Sequence, residues 1–450
     1  MASAAEQMAA SLNWGVFSKA TDLKKRLWFA LGALVVYRLG TYIPLPGVDP
    51  RILQDLFNNA RGAGILGMFD MFAGGALSRM TIFALNIMPY ISASIIMQLL
   101  TTVSPQLEAM KKEGETGRKR INQYTRYLTV VVATFQAYGI AVGLEGMTGS
   151  TGAAVLDPGL HFRFVTVTTL VGGTLFLMWL GEQITARGIG NGTSLIIFAG
   201  IVAELPSAIA GTLELGRTGA LNALVIIAIM LMVVLVIGVI VFVERAQRRI
   251  IVQYPKRQVG NKMYGGESSH LPLKLNTSGV IPPIFASSLL LLPATFASFS
   301  AAQGGGPDWL TTFNALMGRG HPLYLAIYTA LIVFFAFFYT AVVFNPADTA
   351  DNLKKHGGFI PGIRPGKNTS DYLDFVLTRL TVIGAIYLSL VSILPEILIS
   401  QYSVPFYFGG TSLLIVVSVT MDTVAQIQSH LLAHQYEGLI KKAKLKGARQ

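Results

Sequence analysis

Few residues in this chain have the types and spacing that chemistry requires. His430 and His434 stand one helical turn apart and could offer two ring nitrogens to a metal. Residue 431 is Leu rather than the Glu of a zinc hydrolase motif, and no further convincing ligand lies nearby. The pair reads as two solvated histidines on a tail helix. The nearest thing to a phosphate loop is GIRPGK, Gly362 to Lys367, but Pro361 stands where the first Gly is needed and Asn368 where a hydroxyl residue should follow Lys367. No Gly-x-Ser-x-Gly elbow is present, and zero Cys removes disulfides, thiolate metal sites and thiol catalysis. The chain is expected to be no enzyme, to bind no metal, nucleotide or other cofactor, and to take any driving energy from another protein or an ion gradient.

Ion-coupled carriers bury ionisable groups in their spans, because protons and cations need ligands there. Here the apolar stretches hold only Arg38, Glu204 and Asp422, all near an end, with Asp70 and Glu182 just outside. Their middles show uncharged polar residues instead, such as Ser92, Ser94 and Gln98. A charge-poor interior weakens an ion-coupled carrier and leaves a sugar-like or peptide substrate open.

These residues sit in a chain that water cannot coat. Of its 450 residues 52% are apolar and only 13% charged, half the charge of a soluble domain, and the mean hydropathy is +0.55. Ten apolar, nearly charge-free stretches of spanning length follow. They are Leu27 to Ile43, Met80 to Leu100, Tyr127 to Leu144, Phe164 to Leu180, Ser194 to Ile209, Leu221 to Val243, Ser278 to Ser298, Leu323 to Phe344, Phe375 to Ile399 and Tyr407 to Ala425. The fifth is the weakest, being short and holding Glu204 and Pro206.

The net charge of +12 tests that count. With ten spans and the amino terminus inside, 28 of the 35 Lys and Arg fall on the cytoplasmic side and five outside, leaving Arg38 and Arg79. Deleting the fifth span would send the basic 244–277 loop outside, against the positive-inside bias. Ten spans with both termini cytoplasmic is the consistent topology. Five plus five, with the loop Leu213 to Ala220 as hinge, implies halves of opposite orientation.

Two inside loops are long for helix connections. Residues 245–262 hold Arg245, Arg248, Arg249, Lys256, Arg257 and Lys262, and residues 354–367 hold Lys354, Lys355, Arg364 and Lys367. They read either as docking surfaces for an acidic or nucleic-acid-rich partner or as ordinary orientation charge facing anionic lipid. The run Ile65 to Ala73 is too short to cross, and Gly74 and Gly75 part it from the second span. It is either a re-entrant half-helix in a conduit or an interfacial helix.

Eight motifs in order carry a resemblance over Lys24 to Gly447. They are MFAGGALSRMTIFAL (from Met71), IMPYISASIIMQLL (from Ile87), KKEGETGRKRINQYTRY (from Lys111), FLMWLGEQITARGIGNG (from Phe176), VFVERAQRRI (from Val241), PPIFASS (from Pro282), FNPADTADNLKKHGGFIPGIRPG (from Phe344) and PFYFGGTSLLIVV (from Pro405). Together they resemble the SecY family, the channel subunits of the bacterial general secretory translocase. The resemblance implies an all-α polytopic membrane protein of ten helices in two inverted five-helix halves around an hourglass pore, passive and driven by the SecA motor or the ribosome. It would translocate signal-bearing unfolded preproteins across the cytoplasmic inner membrane and release apolar segments into lipid, in complex with SecE and SecG. The implied layout is a cytoplasmic segment 1–26, a first half 27–212, a second half 213–425 with loops 244–277 and 345–374, and a cytoplasmic tail 426–450.

Residue by residue, the same resemblance implies a pore ring of Ile87, Ile91, Ile197, Ile284 and Ile415, with Ile201 a weaker candidate. It implies a plug over 65–79 including Ile65, Met68, Phe69, Met71, Phe72, Gly74 and Gly75. Ser92, Gln98, Pro282 and Ser287 would flank a lateral gate, with Pro89, Pro282 and Pro283 expected to let the second and seventh spans bend. Arg248, Arg249, Lys256, Arg257, Lys262, Lys354, Lys355 and Arg364 would dock the motor or ribosome. Asn261 departs from a pair of basic residues common in the family.

Overall fold

The computed structural model describes residues 20–49, 51–52, 70, 73–146, 148–149, 152–219, 222–254, 257–259, 262–264, 268–302, 321–402 and 410–447. Helices dominate: α1 (Thr21–Gly40), α2 (Met88–Val103), α3 (Pro105–Lys112), α4 (Glu115–Glu145), α5 (Leu160–Arg187), α6 (Gly192–Arg217), α7 (Ala223–Arg245), α8 (Ile281–Ala302), α9 (Pro322–Val343), α10 (Pro346–Lys355), α11 (Lys367–Tyr402) and α12 (Gly410–Gly447). Among the described residues seven helices are long and apolar enough to cross a membrane, namely α4, α5, α6, α7, α9, α11 and α12; α2 and the first part of α8 are apolar but shorter. The first turns of α1 hold Asp22, Lys24, Lys25 and Arg26, which shortens its apolar stretch. On α7 Leu224, Leu231, Val234 and Phe242 all stay exposed, a surface that lipid covers and water would not tolerate. The chain is a multi-pass membrane protein.

Two compact units partition the chain. One comprises residues 1–208, 292–315 and 419–450, the other 209–291 and 316–418. In the first unit α4 and α5 lie side by side as an antiparallel pair with an ion pair at each end. Arg126 donates to Glu182 through Nε (3.0 Å) and Nη2 (2.8 Å), and Arg163 Nη2 donates to Glu145 Oε2 at 2.6 Å. No charged residue lies between Arg126 and Glu145, or between Arg163 and Glu182. Each interval is 19 residues, about 28 Å of helix at ~1.5 Å per residue, close to the ~30 Å hydrocarbon core of a bilayer. The two pairs therefore mark the two faces of the membrane.

In the second unit the long loops become ribbon and helix. After the short hairpin of β1 (Thr148–Gly149) and β2 (Gly152–Ala153) in the first unit, strands β3 (Gln247–Gln253) and β6 (Ser268–Lys274) pair antiparallel, with Arg248 opposite Leu273 and Arg249 opposite Pro272. The alternation of β3 turns Ile250 and Val252 inward and Arg249 and Ile251 outward, while Arg248, on the inward face near the start of the strand, is still exposed. Ile250 and Leu273 then pack with Ile360 and with Leu373, Val376 and Leu380 of α11. A bridge closes the arrangement: Gln253 N donates to Phe359 O (2.9 Å) and Phe359 N to Gln253 O (3.0 Å).

Two expectations are corrected. The second apolar stretch does not become helix at Met80: residues 80–87 form tight turns, with positive φ at Met80 (43°) and Asn86 (50°), and α2 starts at Met88. Hydropathy sees the apolar run but not the backbone sign. Consequently Pro89 stands in the first turn of α2, and Pro282 and Pro283 in that of α8. There a missing N–H would be unpaired anyway, so these prolines open helices instead of bending them. Helix-interior prolines are Pro206 in α6, Pro293 in α8 and Pro395 in α11. The doubtful fifth stretch is a full helix, α6, running through Pro206 for 26 residues.

Candidate functional site

The expected site residues fall into groups that the fold treats differently. Ile87 caps α2 and Ile91 lies one turn into it, Ile197 and Ile201 are on α6, Ile284 on α8 and Ile415 on α12, and all are buried. Ile87, Ile91, Ile197 and Ile201 belong to the first unit, Ile284 and Ile415 to the second. Branched apolar side chains of this kind hold no hydrated ion and offer no fixed ligand. Of the gate candidates, Ser92 Oγ and Gln98 Oε1 have no hydrogen-bond partner among the described residues. Gln98 Nε2 donates weakly to Ser94 Oγ at 3.4 Å, Ser287 Oγ donates to Ile284 O at 2.9 Å, and Pro282 starts α8.

Ile65, Met68, Phe69, Met71 and Phe72 lie outside the described residues, as does Lys256, while Gly74 and Gly75 lie within them. Both glycines take positive φ (65° and 76°), a conformation other residues reach only at a cost. A Cβ on Gly74 would stand 2.9 Å from Gly200 Cα, and one on Gly75 would stand 2.6 Å from both Arg79 Nη2 and Glu204 Oε1.

Around this turn gathers a polar cluster that none of the sequence motifs assigned. Arg38 Nη1 donates to Gly74 O at 2.9 Å. Arg79 donates through Nε to Gly75 O (2.8 Å) and through Nη2 to Gly74 O (2.7 Å), and its Nη2 lies 3.9 Å from Glu204 Oε1. The Tyr42 ring lies beneath both guanidinium carbons, 5.1 Å from Arg38 and 4.4 Å from Arg79. Asp70 Oδ1 accepts from Ser78 N at 2.7 Å, and Tyr37 OH donates to Ala73 O at 3.4 Å. Burial pushes the Asp70 carboxyl above its ordinary range, opposed by the Ser78 hydrogen bonds and the Arg79 charge. One sequence signal could have found this cluster: Arg38 and Arg79 are the two basic residues that the topology tally assigns to neither face, and charges near a span pair with one another.

The candidates on the two basic loops behave in the opposite way. Arg248, Arg249, Lys354, Lys355 and Arg364 are all exposed, and among the described residues none joins an ion pair. Arg364 sits between Gly362 (φ 85°) and Gly366 (φ 108°), and its carbonyl accepts from Thr369 Oγ1 at 3.0 Å, which fixes the loop and leaves the guanidinium outward. Arg257 and Lys262 lie in the facing short strands β4 (Arg257–Val259) and β5 (Lys262–Tyr264).

Long apolar helices and an exposed basic surface on the loops that join them define a polytopic membrane protein. The SecY family model matches residues 81–424. Protein translocase subunit SecY of Rickettsia conorii (strain ATCC VR-613 / Malish 7) is 57% identical over 432 residues, 96% of this chain and 99% of the relative. That of Escherichia coli (strain K12) is 58% identical over 426 residues, 95% and 96% of the two chains. The chain belongs to the SecY family of protein translocase subunits. A solved protein-conducting channel shares the fold with TM-score 0.62 at 18% identity, over 92% of this chain and 93% of the other. Sec61 from the canine ribosome-channel complex does so with TM-score 0.62 at 17% identity, over the same shares.

Proposed function

We propose that this protein is the passive protein-conducting channel of a bacterial cytoplasmic membrane, moving signal-bearing unfolded polypeptides across it and apolar segments sideways into it. The observation that carries this reading is identity of 57% with a translocase subunit over 96% of the chain. Ten spans with both termini cytoplasmic agree with the charge tally, α1, α2 and α8 adding to the seven long apolar helices. Ile87, Ile91, Ile197, Ile284 and Ile415 are assigned to one constriction: a hydrated ion loses water there at prohibitive cost, whereas aliphatic side chains yield around any passing residue. The 65–79 segment is assigned to the plug, and Ser92, Gln98, Pro282 and Ser287 to the lateral gate. Arg248, Arg249, Lys256, Arg257, Lys262, Lys354, Lys355 and Arg364 are assigned to the docking of SecA and, alternately, the ribosome. SecE and SecG complete the complex.

Reconstitution tests this. The purified chain with SecE and SecG in liposomes, given SecA, ATP and a presecretory protein, is expected to shelter that protein from external protease. Uptake of small solutes without polypeptide protection would establish a carrier instead, and inertness in both assays a scaffold.

A further inference from the structure

On α6, Ile197, Ile201 and Glu204 recur at helical spacing and so share one face. Gly200 on the same helix meets Gly74 backbone to backbone, and Glu204 meets Arg79 one turn further on. Arg79 in turn holds both glycine carbonyls, and Arg38 holds one of them from α1. Pro206 follows two residues after Glu204 inside α6, where its missing N–H leaves a carbonyl of the preceding turn unpaired and loosens the helix.

We propose that Glu204, Arg79 and Arg38 form an interlock that ties the Gly74–Gly75 turn to the isoleucine-bearing face of α6, so that the turn leaves its seat only when α6 moves. The inference rests on the channel reading and adds a residue that sets the opening threshold. Both guanidiniums converge on the Gly74 carbonyl, Arg79 Nε adds to the Arg79 N and Ser78 Oγ bonds at the Gly75 carbonyl, and Glu204 supplies the negative charge that keeps Arg79 beside α6. A polypeptide that displaces α6 breaks the ion pair and removes the Gly200 contact in one motion, which couples release of the turn to widening at Ile197 and Ile201.

The test is the resting ion current of the full-length chain, purified with SecE and SecG, in planar bilayers in potassium chloride without polypeptide. Glu204→Gln is nearly isosteric and is expected to raise that current by about tenfold, one decade in the closed-to-open ratio. Glu204→Arg, which sets a third cation against Arg38 and Arg79, is expected to raise it further, and Glu204→Asp to lie between Glu204→Gln and the native chain. A synthetic signal peptide should open the native channel many-fold and add little to Glu204→Gln, a loss of response that mere loosening of the fold does not produce. Native-level resting current in both Glu204→Gln and Glu204→Arg, at unchanged thermal midpoints, would overturn the interlock. Should Glu204→Arg fail to assemble, Glu204→Gln decides alone. A native complex that neither conducts with signal peptide nor translocates would instead sink the channel reading.

Discussion

Arg38 and Arg79 in the first unit and Arg248, Arg249 and Arg364 in the second carry the same group in opposite circumstances. The first two direct their donors to Gly74, Gly75, Tyr42 and Glu204. The other three stand exposed outside every ion pair among the described residues. An arginine whose fork is occupied fixes one conformation, because breaking it strands desolvated partners. An arginine held outward on a rigid loop retains its donors for another molecule. Position in the fold, rather than residue type, decides whether an arginine is engaged within the chain or stands outward.

The largest expected effect reverses an outward charge. Arg364→Glu should depress SecA-driven export by about a hundredfold, given that like-charge juxtaposition at an interface costs several kcal/mol, while the variant still inserts in the membrane. Export at native rate in inverted vesicles would remove Arg364 from the docking face. Next comes a charge already engaged inside the first unit. Glu145→Gln removes the carboxylate charge and turns one of the two oxygens that accept from Arg163 and Gly159 into a donor facing Arg163, and should cost about 1.5–3 kcal/mol, read as a lower thermal midpoint of the purified complex.

The Arg163 hydrogen bonds hold the Glu145 carboxyl below its ordinary range. Its stabilisation is therefore complete above the unfolded glutamate value of about 4.3 and is lost as pH falls through the lower folded value. The native complex should lose stability there, and Glu145→Gln should lose less. Gly75→Ala should cost about 1–2 kcal/mol for the left-handed backbone alone, with added strain against Arg79 and Glu204; an unchanged midpoint would show that the turn does not need its glycine.

Arg126 with Glu182 is the intermediate case, paired but with side chains 48% and 35% exposed. Arg126→Ala should cost under about 1 kcal/mol. A larger loss would mean that exposure is the wrong criterion for telling the two kinds of arginine apart. Between 50 and 200 mM salt, SecA affinity for the native complex should fall steeply and that of Arg248→Ala/Arg249→Ala less so, while the thermal midpoint of each barely moves.

Much of this was legible in the sequence because hydropathy and side-specific charge report burial in lipid directly. Among the described residues seven of the ten apolar stretches lie in helices long and apolar enough to span, and the tally that kept the fifth stretch agrees with α6 running its full 26 residues. What escaped depends on backbone sign and on contacts distant in sequence. Met80 and Asn86 adopt positive φ within an apolar run, and no periodicity marks that. Pro89 and Pro282 change meaning from hinge to helix start with a shift of a few residues. Glu204 looked like a flaw in a weak span, and Arg38 and Arg79 like leftovers, because their relation exists only once a segment 36 residues along folds back on α1. Resemblance alone singles out the isoleucines, since an isolated Ile in a span has no signature of its own.

The paired charges at the two ends of α4 and α5 also set a tolerance. Because the charge-free interval is fixed by covalent structure, a thicker bilayer would draw Arg126, Glu182, Glu145 and Arg163 toward the acyl chains, and a thinner one would tilt the hairpin or pinch the lipid around it. Hydrophobic mismatch is thus felt directly by these two helices, and the thickness of the surrounding lipid becomes a variable that adjusts how deeply the hairpin is seated.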